Sequence, residues 1–241
     1  MSPRILCIRG VRMSKHFSVA IDGPSGAGKS TIARAAAKRF GFIYVDTGAM
    51  YRTVGLAAAR AGMALGDEGG VVGLLPELDI RFGYAEDGTQ RMYLNGEDVS
   101  GLIRTPEVSM RASEVSAMPE VRAHLLDMQR AMAERQSVIM DGRDIGTVVL
   151  PGADVKIFLT ASAEKRAARR HKELVEKGED VSYENVLADI IKRDENDSSR
   201  AAAPLRKAGD AVEVDTSELS LEESINRVCG LISERMGGCK A

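Results

Sequence analysis

The chain has 241 residues, with 33 Lys and Arg residues against 35 Asp and Glu residues and a formal net charge of −2 at pH 7. This length suits one α/β domain with an insertion, and the balanced charge favours no nucleic-acid partner. Apolar runs stay well short of the ~20 residues that a membrane span needs. Three cysteines without metal-site spacing favour a reducing, cytoplasmic location without disulfide bonds.

The first fifteen residues are basic, with four Lys or Arg residues and no acidic residue. We expect this N-terminal extension, 1–15, to be disordered, unless translation in fact begins at Met13. A transit peptide is another interpretation, whereas the apolar stretch is too short for a secretory signal. The domain itself is expected over 16–241.

The strongest motif reads GPSGAGKS from Gly23 to Ser30 and fits G-x-x-x-x-G-K-[ST] without a mismatch. A short apolar strand precedes it and an alanine-rich helix follows, which is the context of a phosphate-binding loop, or P-loop. Backbone N–H groups and the helix N-terminus would hold phosphate oxygens of ATP, Lys29 would reach the outer phosphates, and Ser30 would bind Mg²⁺. The expected ATP-binding residues of this loop are Gly23, Pro24, Ser25, Gly26, Ala27, Gly28, Lys29, Ser30 and Thr31.

A second strand and helix follow the P-loop, which predicts a parallel sheet with helices on both faces. The segment 67–104 differs, because apolar residues alternate with polar ones around the turn dipeptides Asp87-Gly88 and Asn95-Gly96. These features predict a three-stranded antiparallel insert between core segments 16–66 and 105–241. The insert is either a surface ornament or a lid over a substrate.

An apolar strand over 137–141 ends in Asp141, the position where P-loop proteins place a second acidic residue. We therefore expect Asp141 and Ser30 to hold Mg²⁺. Ligands of open parallel sheets bind at the carboxyl ends of the strands, where Arg52, Arg143 and Asp144 would face the P-loop. Guanidinium groups suit phosphate oxygens because they bind them in a bidentate way.

Two charged helices are predicted within 162–200, after a further strand. Arg166, Arg169 and Arg170 share one face of the first helix, and Arg193, Asp197 and Arg200 share one face of the second. These side chains either form ion pairs along the helices or belong to a lid that closes over the transferred phosphoryl group.

Further motifs extend the pattern: DTGAMYR from Asp46, GEDVS from Gly96, IRT from Ile103 and DGRDIGT from Asp141. With these motifs the chain resembles bacterial cytidylate kinases, which are P-loop nucleoside monophosphate kinases, over about 17–235. The resemblance implies a three-layer α/β/α fold with a five-stranded parallel sheet, a monophosphate-binding insert and a helical lid. It also implies transfer of the ATP γ-phosphoryl group to CMP or dCMP in pyrimidine metabolism.

The resemblance implies roles for individual residues. Lys29, Arg52, Arg143 and Arg200 would be catalytic, and Arg169 and Arg170 would lie near the ATP phosphates. A carboxylate at Asp144 would accept from the amino group of cytosine and repel the carbonyl of uracil. The implied CMP-binding residues are Thr47, Arg52, Ser113, Arg122, Arg143, Asp144, Arg193, Asp197 and Arg200.

Two other hypotheses stay open at this point. One is a P-loop kinase for UMP, AMP or a non-nucleotide acceptor, against which the insert and Asp144 argue. The other is a P-loop binding or regulatory module without turnover, against which the acceptor-side arginines argue. With no heptad pattern or exposed apolar stripe, a monomer is expected.

Overall fold

The computed structural model describes residues 16–86 and 88–237. The predicted extension 1–15, with Met13, and the Asp87 half of one predicted turn lie outside the described residues. In chain order the elements are β1 (Ser18–Asp22), α1 (Lys29–Phe40), β2 (Ile43–Asp46), α2 (Thr47–Arg60), α3 (Glu68–Leu74), β3 (Ile80–Tyr84), β4 (Gln90–Leu94), β5 (Glu97–Asp98), α4 (Pro106–Val115), α5 (Pro119–Arg135), β6 (Val138–Gly142), β7 (Val155–Thr160), α6 (Ala163–Glu176), α7 (Tyr183–Ser199), β8 (Val212–Asp215) and α8 (Leu221–Gly237).

The main sheet has five parallel strands in the order β2-β6-β1-β7-β8, as the resemblance implied. The register sets Asp46 opposite Asp141, and Asp22 opposite Gly142. The carboxyl ends of β2, β6 and β1 are therefore level, and the P-loop leaves the centre of the sheet. This arrangement gathers the residues that follow these strands at one edge.

Helices cover both faces of the sheet. Along β1, Val19 and Ile21 belong to one buried cluster and Ala20 belongs to another, because successive strand residues point to opposite faces. The first cluster packs against α1 and α8, and the second against α2, α4 and α5. A smaller cluster joins α6 to α7. The fold is therefore the predicted three-layer α/β/α arrangement.

The insert contains an antiparallel sheet in the order β3-β4-β5. The predicted turn between β4 and β5 is confirmed, since Asn95 and Gly96 both have positive φ. Two side chains anchor this sheet on the edge strand β2: the Gln90 side-chain oxygen accepts from the N–H of Asp46 at 2.8 Å, and the Tyr84 hydroxyl donates to the carbonyl of Tyr44 at 3.1 Å.

The helix α3 was not predicted, because its sequence EGGVVGL is rich in glycine and glycine disfavours helix. Asp67 compensates at the N-cap, where its carboxylate accepts the N–H of Gly70 at 2.9 Å. Among the described helices, none combines the length and apolar character required to cross a membrane.

Candidate active site

A cleft of about 680 Å³ opens at the carboxyl ends of the parallel strands. Its walls come from the P-loop, the first turns of α2, the helix α4, the segment after β6 and the helices α6 and α7. Except for Gly23 and Pro24, every predicted site residue lines it: Ser25, Gly26, Ala27, Gly28, Lys29, Ser30, Thr31, Thr47, Arg52, Ser113, Arg122, Asp141, Arg143, Asp144, Arg169, Arg170, Arg193, Asp197 and Arg200.

The P-loop conformation depends on glycine. Gly26 and Gly28 have φ of 76° and 86°, and a Cβ atom on Gly23 would lie 1.9 Å from the carbonyl oxygen of Leu159 on β7. Gly28 is the N-cap of α1, so no side chain occupies the first N–H groups of that helix. These N–H groups and the helix dipole form an anion-binding position.

Lys29 is buried at the start of α1, and its ammonium group donates to the carbonyl of Pro24 at 2.7 Å. Burial, followed by the nearby Arg143 guanidinium, lowers the pKa of Lys29 well below its ordinary value. A bound anion would reverse this effect, because negative charge favours the protonated amine. The lysine is thus placed for a phosphate group at the mouth of the loop.

The hydroxyl of Ser30 donates to one oxygen of Asp141 at 2.7 Å, and the hydroxyl of Tyr44 donates to the other at 3.0 Å. Burial and the neighbouring Asp46 raise the pKa of Asp141. The described residues contain no cluster of three or more His, Cys, Asp and Glu side chains suited to a metal. Mg²⁺ bound with phosphates and water needs only one or two protein oxygens, so this hard-oxygen pair fits it.

Four arginines of the cleft form what we call the basic wall: Arg52, Arg143, Arg193 and Arg200. The Nε atoms of Arg52 and Arg193 and one terminal nitrogen of Arg200 are buried without a hydrogen-bond partner among the described residues. Burial and the charge of Arg143 lower the pKa of Arg193 to about 10. Buried unpaired donors are costly, and an anion in the cleft would satisfy them.

Two carboxylates order this basic wall. The Asp197 carboxylate, on α7, accepts from Nε of Arg143 at 2.6 Å, and this neighbouring positive charge lowers the pKa of Asp197 despite its burial. Asp46, at the end of β2, accepts from Arg52 at 2.7 Å. Each arginine therefore keeps a fixed direction while other nitrogens of the cluster remain available.

Asp144 lines the cleft and is only 4% exposed. Its carboxylate forms an ion pair with Arg122 and lies 3.8 Å from a terminal nitrogen of Arg200. Arg122 also donates to the carbonyl of Ser116 and stacks on the ring of Tyr51, 5.6 Å from its centroid. A rigid, deeply placed carboxylate of this kind can recognise a hydrogen-bond donor on a ligand.

The three arginines that share a face of α6 do different things. Arg166 is buried, pairs with Asp194 of α7 at 2.5 Å and donates to the carbonyl of Ser25 at 2.9 Å. It therefore joins both helices to the P-loop. Arg169 donates to the carbonyl of Thr216 at 2.6 Å, and Arg170 pairs with an exposed glutamate.

Sequence reasoning missed several residues around the cleft, among them Asp22, Tyr44, Asp46 and Arg104. Asp22 and Asp46 each end an apolar strand, and Asp141 is the last residue but one of β6, so the same signal could have identified them. Arg104 lines the cleft from the end of the insert and was visible only as part of a motif. Nothing in the sequence pairs the hydroxyl of Tyr44 with Asp141, which lies 97 positions further along the chain.

Comparison with known proteins agrees with the geometry. Residues 19–234 match the family model described as cytidylate kinase. The cytidylate kinase of Carboxydothermus hydrogenoformans is 52% identical over 217 residues, which cover 90% of this chain and 97% of that protein.

Two further relatives carry the same name. The cytidylate kinase of Geobacter sulfurreducens is 52% identical over 90% of this chain and 93% of its own length, and that of Syntrophotalea carbinolica is 48% identical over 94% and 96%. The family model spans nearly the whole α/β core, the insert and the helices α6 and α7. The chain therefore belongs to the cytidylate kinase family.

Proposed function

We propose that this protein transfers the γ-phosphoryl group of ATP to CMP or dCMP, which yields ADP and CDP or dCDP. An oxygen of the acceptor phosphate bonds to the γ-phosphorus while the bond from that phosphorus to the β–γ bridging oxygen breaks. The observation that carries the proposal is the set of buried guanidinium nitrogens without a hydrogen-bond partner among the described residues, in the same cleft that the P-loop lines, because they would provide a second anion site beside the first.

ATP is assigned to the P-loop side of the cleft. The residues Gly23–Thr31 surround its phosphates, and Lys29 exchanges the carbonyl of Pro24 for phosphate oxygens. Arg169 and Arg170 approach from α6. Ser30 and Asp141 would hold Mg²⁺, which neutralises phosphate charge and orients its oxygens when bound.

The acceptor phosphate is assigned to the basic wall. Arg52, Arg143 and Arg200 bind it, together with Thr47, and neutralise the charge that spreads over the transferred group. Arg193 and Asp197 lie beside them and are assigned to the sugar. Because positioning and electrostatics supply most of the rate enhancement in phosphoryl transfer, no general base is assigned.

The cytosine base is assigned to Asp144, Arg122 and Ser113. The carboxylate of Asp144 accepts from the exocyclic amino group, and a uracil carbonyl would leave this buried carboxylate unpaired. Arg122 forms an ion pair with this carboxylate, and a terminal nitrogen of Arg200 lies 3.8 Å from it, so both arginines fix its position in the cleft. We assign the insert, 67–104, to closing over the bound monophosphate and the helices within 162–200 to closing over ATP. The protein is proposed to act as a monomer in the cytoplasm.

The test is a comparison of kcat/KM for CMP, dCMP, UMP and AMP with ATP and Mg²⁺, in an assay coupled to ADP release. We expect CMP and dCMP to be preferred, and ADP release to depend on the acceptor. Release that ignored the acceptor would indicate a hydrolase and overturn the proposal.

The base assignment is tested with Asp144→Ala, and Asp189→Ala on the exposed face of α7 is the control. A hydrogen bond to a charged group contributes about 1.5–3 kcal/mol, so its loss should reduce kcat/KM for CMP by roughly 10- to 150-fold. The preference for CMP over UMP should then disappear. An unchanged preference would show that another residue reads the base.

A further inference from the structure

A short π-helix, Ile145–Val149, follows the two residues assigned to the acceptor, Arg143 and Asp144. Its wide turn is closed by the N–H of Leu150, which donates to the carbonyl of Ile145 at 2.6 Å. Such turns are rare, leave several backbone groups without regular partners and commonly occur at functional sites. Side chains from two other elements satisfy these groups.

The N-terminal end of the π-helix is held by Asp22, the last residue of β1. One carboxylate oxygen of Asp22 accepts the N–H of Ile145 at 2.7 Å, and the other accepts the N–H of Gly146 at 2.7 Å. Asp22 is 5% exposed, and a Cβ atom on Gly146 would lie 3.3 Å from its carboxylate. The carboxylate therefore fits closely against this one turn.

The C-terminal end is held by Arg130 of α5. Its Nε donates to the carbonyl of Val149 at 3.1 Å and a terminal nitrogen donates to the carbonyl of Val148 at 3.0 Å. An anion at the N–H end and a cation at the carbonyl end both match the dipole of the turn. Eight positions earlier on α5, which is about 12 Å along a helix, Arg122 contacts Asp144.

We propose that Asp22 and Arg130 hold the two ends of the π-helix and thereby position Arg143 and Asp144. We call this pair of contacts the clamp, and it makes Asp22 and Arg130 positioning residues for the acceptor nucleotide. The inference rests on the proposed function and deepens it. The clamp acts on the backbone directly after Asp144, so releasing either end lets the base-reading carboxylate and the phosphate-binding guanidinium shift. We expect the P-loop to change less, although Asp22 directly precedes it, because the positive φ values of Gly26 and Gly28 fix its backbone path.

The experiment measures Asp22→Asn in the full chain, with Asp154→Asn as the matched control. Asp154 also accepts a backbone N–H, that of Ser18 at 2.8 Å, but at the opposite end of β1, about 13 Å from the clamp. Asparagine at position 22 keeps the volume of the side chain, but its NH₂ group cannot accept a hydrogen bond. One of the two backbone N–H groups is therefore left without its partner.

For Asp22→Asn we expect the KM and calorimetric Kd for CMP to rise about tenfold and the CMP over UMP preference to fall about tenfold. The KM for ATP should change by less than roughly threefold, and the control should match wild type in all four quantities. Constants for CMP equal to those of wild type, or an equal loss of ATP and CMP affinity, would overturn the proposal.

Arg130→Met is the second variant, and it tests the clamp if Asp22→Asn does not fold. The same rise in the KM and Kd for CMP, with a nearly unchanged KM for ATP, is expected for it. Arg130→Lys, which keeps one charged donor, should recover part of the CMP affinity. A wild-type protein that did not phosphorylate CMP would contradict the proposed function, whereas normal wild-type activity with unaffected variants would contradict the clamp alone.

Discussion

Asp22 should make the stability of the fold depend on pH in an unusual direction. Burial raises the pKa of this carboxyl from its ordinary value of 3.8 to about 6, and the N–H groups of Gly146 and Ile145 oppose the rise. Among its charged neighbours, Asp144 raises the pKa of Asp22 and Lys29 lowers it. The side-chain carbons of Lys156 pack against Gly146, which donates to Asp22. The perturbation that isolates Asp22 is Asp22→Asn, which does not titrate.

The sign follows from proton binding. Between pH 3.8 and about 6 the folded chain holds a proton on Asp22 that the unfolded chain has released. Folding therefore takes up a proton, and the contribution of Asp22 to stability is fully present below pH 3.8 and is lost as the pH rises through 6. A shift of this size corresponds to about 3 kcal/mol.

The measurement is urea unfolding of wild type and Asp22→Asn at several pH values from 7.5 down to 4. The free energy of unfolding of wild type, minus that of the variant, should increase by roughly 2.4 kcal/mol between pH 7.5 and pH 4. A difference that stayed flat or decreased would refute the reasoning, because it would mean that the two N–H bonds outweigh burial and keep the carboxylate ionised.

Three more substitutions have definite expected outcomes. Gly23→Ala should abolish ATP binding in a calorimetric titration and lower the melting temperature, because its Cβ would lie 1.9 Å from the backbone carbonyl oxygen of Leu159; unchanged ATP affinity would contradict this. Arg166→Met should destabilise the chain by about 1–3 kcal/mol in urea, since it removes the hydrogen bonds of a buried guanidinium to Asp194 and to the carbonyl of Ser25, where α6 meets α7 and the P-loop; a loss below about 0.5 kcal/mol would show that these contacts are dispensable. Ser220→Ala removes the N-terminal cap of the last helix and should cost about 1 kcal/mol without changing kcat/KM for CMP.

Much of the fold was predictable because its signals are local. The P-loop is one, since its glycines adopt φ values that other residues avoid and the flanking strand and helix are short-range patterns. The turn at Asn95-Gly96 is another, and the family predicted from the motifs is confirmed by the family model. The helix α3 was missed because its glycines oppose helix formation and only the Asp67 cap favours it.

The candidate site was predictable as a list of residues but not as a set of contacts. Helical spacing places Arg166, Arg169 and Arg170 on one face, yet it does not say that the first is buried against α7 while the last is exposed. Strand ends identify Asp141, but only the fold shows that the hydroxyls of Ser30 and Tyr44 both donate to it.

The sequence by itself determined the position and shape of the P-loop, because a P-loop is made by consecutive residues whose backbone angles are set locally. Only the tertiary structure decided which charges meet. Asp22 reaches the N–H of Ile145 across 123 positions of sequence, and Arg143 reaches Asp197 across 54. Such pairings depend on distances between separate elements, which arise only when the sheet assembles and its strand ends become level.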